Sequence, residues 1–174
     1  MTEQYPPIDS LILHSGNMVL IDKLIAADDG GVTSVSYQQN AKLFSIKSNY
    51  LPSYVCIEYM AQTIAAYAGL KALNNNREPT IGLLLGTRSF RCSQANMAIS
   101  QPVAIKVKEI YNDQDQLVLF HCEVSNYYPA EALGANTSGQ NKVNSTPFAA
   151  ADIKAIMPTD TRTLLNKFSH PDQP

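Results

Sequence analysis

Three side chains in this sequence have the types and the spacing for acid-base chemistry. Glu58 is the only charged residue between Tyr54 and Leu70, a stretch made otherwise of apolar and small polar residues. Gln62 follows four residues later, and that spacing puts both side chains on one face of a helix. His14 stands in a short turn with Gly16, and an imidazole is well matched to general-base work near neutral pH. The pattern predicts a proton-transfer site.

Each of these side chains also has a structural interpretation. Glu58 can be a buried carboxylate bonded to backbone or tyrosine, but an unpaired buried charge is costly and perturbed carboxylates cluster at active sites, which favours a functional role. Gln62 can orient that carboxylate, touch substrate or support the fold. His14 can be a base, or it can fix its loop by hydrogen bonding. These alternatives stay open at the level of sequence.

A buried helix is the element that must carry Glu58. Pro52 and Ser53 precede an apolar stretch from Tyr54 to Leu73, with Ser53 as a plausible N-cap. Because the stretch is apolar on nearly every side, the helix is expected to be buried. Its first residues, Ser53 to Val55, should offer free backbone N–H groups and a partial positive charge to a carbonyl oxygen.

The remaining elements are predicted to be strands, giving an α+β class. Alternating and apolar runs predict strands at Met18 to Leu24, Val32 to Gln38, Ile81 to Leu85, Val103 to Tyr111, Leu117 to Val124 and Phe148 to Met157. Turn residues at 28–31 and 112–116 predict antiparallel hairpins. We expect one domain over residues 1–158, with 126–146 as a loop insertion before the last strand and 159–174 as a polar tail.

Composition limits the classes of function. The chain has 174 residues and a net charge of -2, which argues against broad binding of nucleic acid. Its three cysteines, Cys56, Cys92 and Cys122, are widely spaced and are expected to be reduced, buried thiols in a cytoplasmic protein. Neither a signal peptide nor a membrane-spanning run is recognisable. Metal-ligand spacings and phosphate loops are also missing from the sequence, so no cofactor is expected.

Two motifs resemble those of bacterial 3-hydroxyacyl-ACP dehydratases. The segment LHSGNMVLID at 13–22 resembles that family's P-H-x-x-x-[MF]-x-L-[LV]-D, with Leu13 where proline is usual. The segment PSYVCIEYMAQ at 52–62 resembles P-G-x-x-x-[LI]-E-x-x-A-Q, in which Glu58 matches the catalytic glutamate. Together with GLLLGTR at 82–88, the form is most similar to the dehydratase-like branch of aryl polyene clusters, over roughly residues 10 to 157.

The resemblance implies a hotdog fold, in which a curved antiparallel sheet wraps around one long helix. It also implies a homodimer, or a heterodimer with a paralogous hotdog protein, that holds an acyl chain in a tunnel at the interface. The implied activity is dehydration of 3-hydroxyacyl-ACP or -CoA in fatty-acid or polyene-type biosynthesis, without a membrane or nucleic-acid partner. The implied catalytic residues are His14 and Glu58, and the implied substrate-binding residues are Gln62, Ser53, Tyr54, Val55 and Gly86.

One departure from the family pattern concerns the catalytic histidine. Standard members carry it eight positions before the proline that matches Pro52, and Phe44 stands there, with no histidine between Phe44 and Leu51. Three hypotheses follow. His14 replaces the missing base; or the chain is a non-catalytic subunit that pairs with a complete dehydratase; or it is a thioesterase whose helix carboxylate activates water.

Several other polar or flexible residues have mainly structural interpretations. Gly86 can let the backbone approach a pantetheine arm or can mark a strand bulge. Arg88 and Arg91 are expected to be surface charges, although they can contact phosphate. His121 shares a strand face with Glu123, which favours a structural role, and His170 lies in the polar tail.

Overall fold

A computed structural model describes residues 5–46, 49–113, 117–132 and 141–157 of the chain. The predicted tail at 159–174 lies outside these residues. The described strands are β1 (Lys23–Asp28), β2 (Gly31–Ser36), β3 (Tyr50–Pro52), β4 (Leu83–Thr87), β5 (Arg91–Cys92), β6 (Asn96–Ala98), β7 (Val103–Asn112), β8 (Leu117–Tyr128), β9 (Lys142–Val143) and β10 (Ala149–Ile156). The α-helix α1 spans Cys56–Asn74, and the short 3₁₀ turns span Ile8–Ser10, Gly16–Met18, Asn40–Phe44, Ser53–Val55 and Ala130–Ala132.

The main sheet is antiparallel, with the strand order β1-β2-β7-β8-β10-β4. Short strands extend it, since β5 pairs with β10 and β9 pairs with β8, while β3 and β6 form a separate two-stranded sheet. Along β8 and β10 the side chains alternate between buried and partly exposed, so the main sheet has one core face and one outer face. Within the part of the chain that the structure describes, the outermost strands of the main sheet are β1 on one side and β4, with the short β5, on the other.

The helix packs against the core face of the sheet, where it contacts β2, β7 and β8. Its side chains facing the sheet are fully buried, including Cys56, Tyr59 and Met60. The opposite stripe of α1 is only half-buried, and it carries Glu58 together with small residues. One long helix against one antiparallel sheet confirms the predicted α+β class. Within the described residues, no helix is both long and apolar enough to cross a membrane.

The hairpin of β1 and β2 forms where Asp28 to Gly31 predicted a turn. Gly31 is required there because a Cβ would lie 2.1 Å from the carbonyl oxygen of Val107 on the neighbouring strand. The β7–β8 hairpin also forms as predicted, and β8 continues four residues beyond the expected end at Val124. The stretch 126–146 is therefore not all loop: it contains the end of β8, a 3₁₀ turn and β9.

Two local predictions were wrong. The first strand begins at Lys23 rather than Met18, because the Leu20 N–H just before it donates to Gln62 Oε1 of the helix at 2.8 Å and so is not free for a strand partner. Ser53 is not an N-cap, since a 3₁₀ turn precedes α1 and Ser53 makes no side-chain capping bond. Its backbone N–H is also not free, because it donates to the carbonyl oxygen of Ala95 at 3.0 Å.

Candidate active site

Glu58 lies in the first turn of α1 and is held there by Gln62, one turn further along. Gln62 Nε2 donates to Glu58 Oε1 at 2.8 Å and to the carbonyl oxygen of Met18 at 2.8 Å. Because Gln62 Oε1 accepts from Leu20 N–H, every polar atom of this fully buried amide has a partner. The amide thus joins the carboxylate to the loop that follows His14. Of the roles considered for Gln62, its bonds support orientation of Glu58.

His14 reaches Glu58 from the N-terminal segment. His14 Nε2 lies 3.7 Å from Glu58 Oε1, beyond the length of a direct hydrogen bond but within reach after a small movement. Both side chains are about one-third exposed, at 36% and 39%. The other ring nitrogen, Nδ1, is buried, and none of the described residues bonds to it. The two predicted catalytic side chains are thus adjacent within one chain.

Both side chains line one end of a mainly apolar cavity of about 240 Å³. Its other walls come from the N-terminal segment, the half-buried stripe of α1, residues 80–82 with the start of β4, and the end of β10. The lining residues include Leu11, Ile12, Leu13, Ala61, Ile64, Ala65, Ala68, Ile81, Leu83, Leu84, Ala155 and Met157. An apolar cleft with a few convergent polar groups is the usual form of a small-molecule site.

The predicted substrate-binding residues, Gln62 included, lie outside this lining. Tyr54 is exposed and Val55 is buried, both in the 3₁₀ turn before α1. Ser53 is buried there, and its hydroxyl oxygen has no hydrogen-bond partner among the described residues. Gly86 has φ +144°, a value that favours glycine, and it stands at a register shift between β4 and β10. The bulge interpretation of Gly86 is the one that this geometry supports.

The sequence of this chain also matches a protein-family model. The model described as ApeP-like, ApeP dehydratase, matches residues 6–166, which is nearly the whole chain. The chain belongs to the ApeP-like dehydratase family. The predicted relationship to the aryl polyene dehydratase branch is confirmed. No curated protein sequence matches the chain.

Solved structures share the fold of this chain. The dehydratase heterocomplex ApeI:P from Xenorhabdus doucetiae matches with a TM-score of 0.76 at 20% identity, covering 95% of this chain and 99% of that one. A single-residue variant of the HP0420 homologue from Helicobacter felis matches with a TM-score of 0.51 at 11% identity, covering 92% and 93%. Cj0977, a virulence protein from Campylobacter jejuni, gives 0.52 at 6%, covering 88% and 96%. The predicted hotdog fold is confirmed.

The position of the missing family histidine is occupied by a core-packing side chain. Phe44 ends the 3₁₀ turn Asn40–Phe44 and packs, partly buried, against the main hydrophobic core. In this ApeP-like chain the nearest histidine to Glu58 in the described residues is therefore His14. His121 lies instead on the outer face of β8, where Nδ1 is 2.7 Å from Asp152 Oδ1, as its structural interpretation predicted.

Sequence reasoning missed the residues that shape the cavity. Ala61, Ala65 and Ala68 follow Glu58 at helical spacing, so their alternation of three and four residues was a usable signal of a shared face. No local pattern indicated that Leu11 and Met157 line the cavity, because both come from parts of the chain that are distant from the helix in sequence. Cys56 is a core residue, as predicted, and burial raises the pKa of its thiol to about 12.

Proposed function

We propose that this chain is a dehydratase subunit that removes water from 3-hydroxyacyl thioesters, with Glu58 and His14 as its catalytic pair. The observation that carries the proposal is the 3.7 Å approach of His14 Nε2 to Glu58 Oε1 at one end of an apolar cavity. The dehydratase family membership supports the reaction class. The carrier would be acyl carrier protein or CoA, in fatty-acid or polyene-type biosynthesis, as the motif resemblance implies.

The reaction needs a base at the α-carbon and an acid at the β-hydroxyl. His14 takes the α-proton, the electron pair of that C–H bond forms the double bond, and the bond from the β-carbon to oxygen breaks. Glu58, in its acid form, gives a proton to the departing oxygen, which leaves as water. The proton on His14 then returns to Glu58 across their 3.7 Å separation, and the pair is reset.

The turn before α1 is the candidate for polarising the thioester carbonyl. Backbone N–H groups at the start of a long helix carry partial positive charge, and such donors stabilise charge that develops on a carbonyl oxygen. Because the Ser53 N–H already donates to Ala95, the proposed donors are the amides of Tyr54 and Val55. Gln62 keeps Glu58 in place and acts on the substrate only indirectly, by orienting that carboxylate.

The test is turnover of a 3-hydroxyacyl thioester to the enoyl thioester by the full chain. Glu58→Gln and His14→Ala should each lower kcat by about 10²- to 10⁴-fold, since each removes one proton-transfer group. His121→Ala is the matched control, because His121 is a partly exposed histidine on the outer face of the sheet. Full turnover by His14→Ala would show that the base assignment is wrong. Release of free thiol without enoyl product would indicate a thioesterase.

A non-catalytic partner role is the second candidate, and the structure gives a specific reason for it. Phe44 replaces the family histidine, and among the described residues no strand pairs with the outer edge of β4 in the main sheet. Beside that edge, Ile81, Leu84 and Leu85 are exposed by 41%, 46% and 50%. An open edge with apolar side chains favours pairing with a second hotdog chain, and the related ApeI:P assembly is a heterocomplex. Turnover only together with a copurified dehydratase paralogue would favour this role.

A further inference from the structure

The cavity extends along the helix axis, because one stripe of α1 forms its floor. Glu58, Ala61, Ala65 and Ala68 lie along this stripe, all half-buried, and all line the cavity. Glu58 and Ala68 are ten positions apart in the helix, which corresponds to about 15 Å along its axis. The floor therefore leads away from the His14–Glu58 pair along alanine side chains, which leave room above the helix.

The opposite wall is a segment that runs back along the same helix. His14 lies beside Glu58 at one end of the segment. At the other end the backbone of Leu11 presses directly on the helix, because a Cβ on Gly69 would lie 2.0 Å from the Leu11 carbonyl oxygen. The residues from Leu11 to His14 thus run antiparallel to α1 and cover the stripe of alanines.

The far end of the cavity coincides with this close contact. Ala68 is the last residue of α1 in the lining, and Gly69, under Leu11, is next to it in sequence. Ala72 follows Ala68 by one helical turn on the same half-buried stripe, yet it lies outside the lining. The space above the helix therefore ends where Leu11 meets Gly69.

We propose that this cavity measures the acyl chain: the chain extends from the His14–Glu58 pair along Ala61 and Ala65, and the contact of Leu11 with Gly69 beyond Ala68 limits its length. The inference rests on the proposed function only in taking an acyl thioester as the ligand. Ala65 and Ala68 are then specificity-determining positions, because a larger side chain at either would occupy the place of distal methylene groups. The mainly apolar lining beyond Glu58 suits such a chain.

The test is binding of saturated acyl-pantetheine amides with short, medium and long straight chains, which can neither eliminate water nor lose a thiol. Calorimetry would measure their affinity for the full chain, together with any copurifying hotdog subunit. Ala68→Leu should weaken binding of the long chain about tenfold or more and spare the other two, since expelling two methylene groups costs roughly that factor. Ala65→Leu, one turn nearer to Glu58, should weaken the medium chain as well.

Ala72→Leu is the matched control, because it makes the same change on the same stripe just outside the cavity. It should leave all three affinities within about twofold, and thermal melting should show that all variants are folded. Equal weakening at every chain length, or the same length dependence in Ala72→Leu, would overturn the proposal while leaving the dehydratase assignment intact. If the affinities showed the expected length dependence but the protein formed no enoyl product, the role of the cavity in limiting acyl length would stand and the proposed reaction would be rejected.

Discussion

At the scale of single residues, the site depends on one buried amide. Gln62 connects three groups that are distant in sequence: the Glu58 carboxylate, the carbonyl oxygen of Met18 and the N–H of Leu20. The loop that it holds follows His14, so the same side chain fixes the catalytic carboxylate and anchors the segment that brings the histidine. If Gln62 positions Glu58, its replacement should lower activity by more than the accompanying loss of stability explains.

The substitution Gln62→Met tests this role because it keeps the length of the side chain and removes its hydrogen bonds. We expect the free energy of unfolding to fall by about 1–3 kcal/mol, since a buried backbone N–H and a carbonyl lose their partner. We also expect kcat to fall roughly ten- to a hundredfold, because Glu58 is no longer held in place. Chemical denaturation and steady-state kinetics measure the two effects.

The matched control for Gln62 is Thr63→Val. Thr63 is equally buried on the same helix, and its hydroxyl bonds to Ser34 Oγ at 2.7 Å and to the Tyr59 carbonyl at 2.7 Å without touching Glu58. This variant should lose stability and keep its kcat. If both variants lost activity in proportion to their stability, Gln62 would have only a structural role.

The sequence allowed Glu58, Gln62 and His14 to be chosen as candidates, because their types and local spacing are visible without a structure. Their arrangement was not visible. The bond from Leu20 to Gln62 spans 42 positions, and the approach of His14 to Glu58 depends on how the N-terminal segment crosses the helix. That crossing depends on the absence of a side chain at Gly69, which in the sequence is one glycine in an apolar run.

At the scale of elements, the outer face of the sheet has its own polar cluster. Asp152 on β10 lies opposite His121 on β8, with His121 Nδ1 2.7 Å from Asp152 Oδ1, and Ser89 Oγ donates to Asp152 Oδ2 at 3.1 Å. The hydrogen bond with His121 is the main reason why the pKa of the Asp152 carboxyl lies below its ordinary value; burial opposes it, and the hydrogen bond from Ser89 adds a smaller lowering effect. The cluster joins the strands at a partly exposed position.

The lowered pKa of Asp152 predicts a pH dependence of stability. A carboxyl with a folded-state pKa below the unfolded-state value stabilises the fold above its unfolded-state pKa, and this contribution is lost as the pH falls through the folded-state pKa. Asp152→Asn should therefore be less stable than wild type at neutral pH, by less than about 1 kcal/mol because the pair is exposed to solvent. The difference should disappear in strong acid.

Urea denaturation at several pH values would measure this difference. Asp113→Asn cannot serve as a control, because Asp113 Oδ1 accepts from the Leu117 N–H. Asp9→Asn suits better, since Asp9 is exposed in the first 3₁₀ turn and should show no comparable dependence. A stability difference for Asp152→Asn that stayed constant down to strong acid would contradict the assignment.

The longer elements were predictable because their patterns are local. The helix and the hairpins of β1–β2 and β7–β8 follow from an apolar run and from turn residues between alternating segments. The strands β3, β5, β6 and β9 have only two or three residues each, too few to show a period, and the sequence did not reveal them. Each is defined by its pairing with a strand elsewhere in the chain: β3 with β6, β5 with β10 and β9 with β8.

At the scale of the whole molecule, the described chain leaves one side of its sheet unfinished. Strand β4 borders the cavity through Leu83 and Leu84, and its outer edge has no strand beside it in the described residues. The adjacent Leu85 side chain is half-exposed, at 50%. A second hotdog chain paired along β4 would cover these side chains and close the cavity from that side. The proposed assembly and the proposed reaction would then depend on the same strand.

Leu85→Lys tests this arrangement, because Leu85 is exposed beside the cavity without lining it. A lysine there would place a charge in the proposed interface, and we expect the dissociation constant of the dimer, or of the complex with its paralogue, to rise by at least about tenfold. Ile110→Lys is the matched control: Ile110 on β7 is 51% exposed, away from the β4 edge. Sedimentation velocity would compare the two variants with wild type. If Ile110→Lys dissociated the assembly, or if Leu85→Lys left it intact, the interface would lie elsewhere. If only Leu85→Lys dissociated it and turnover was lost as well, assembly and activity would be linked.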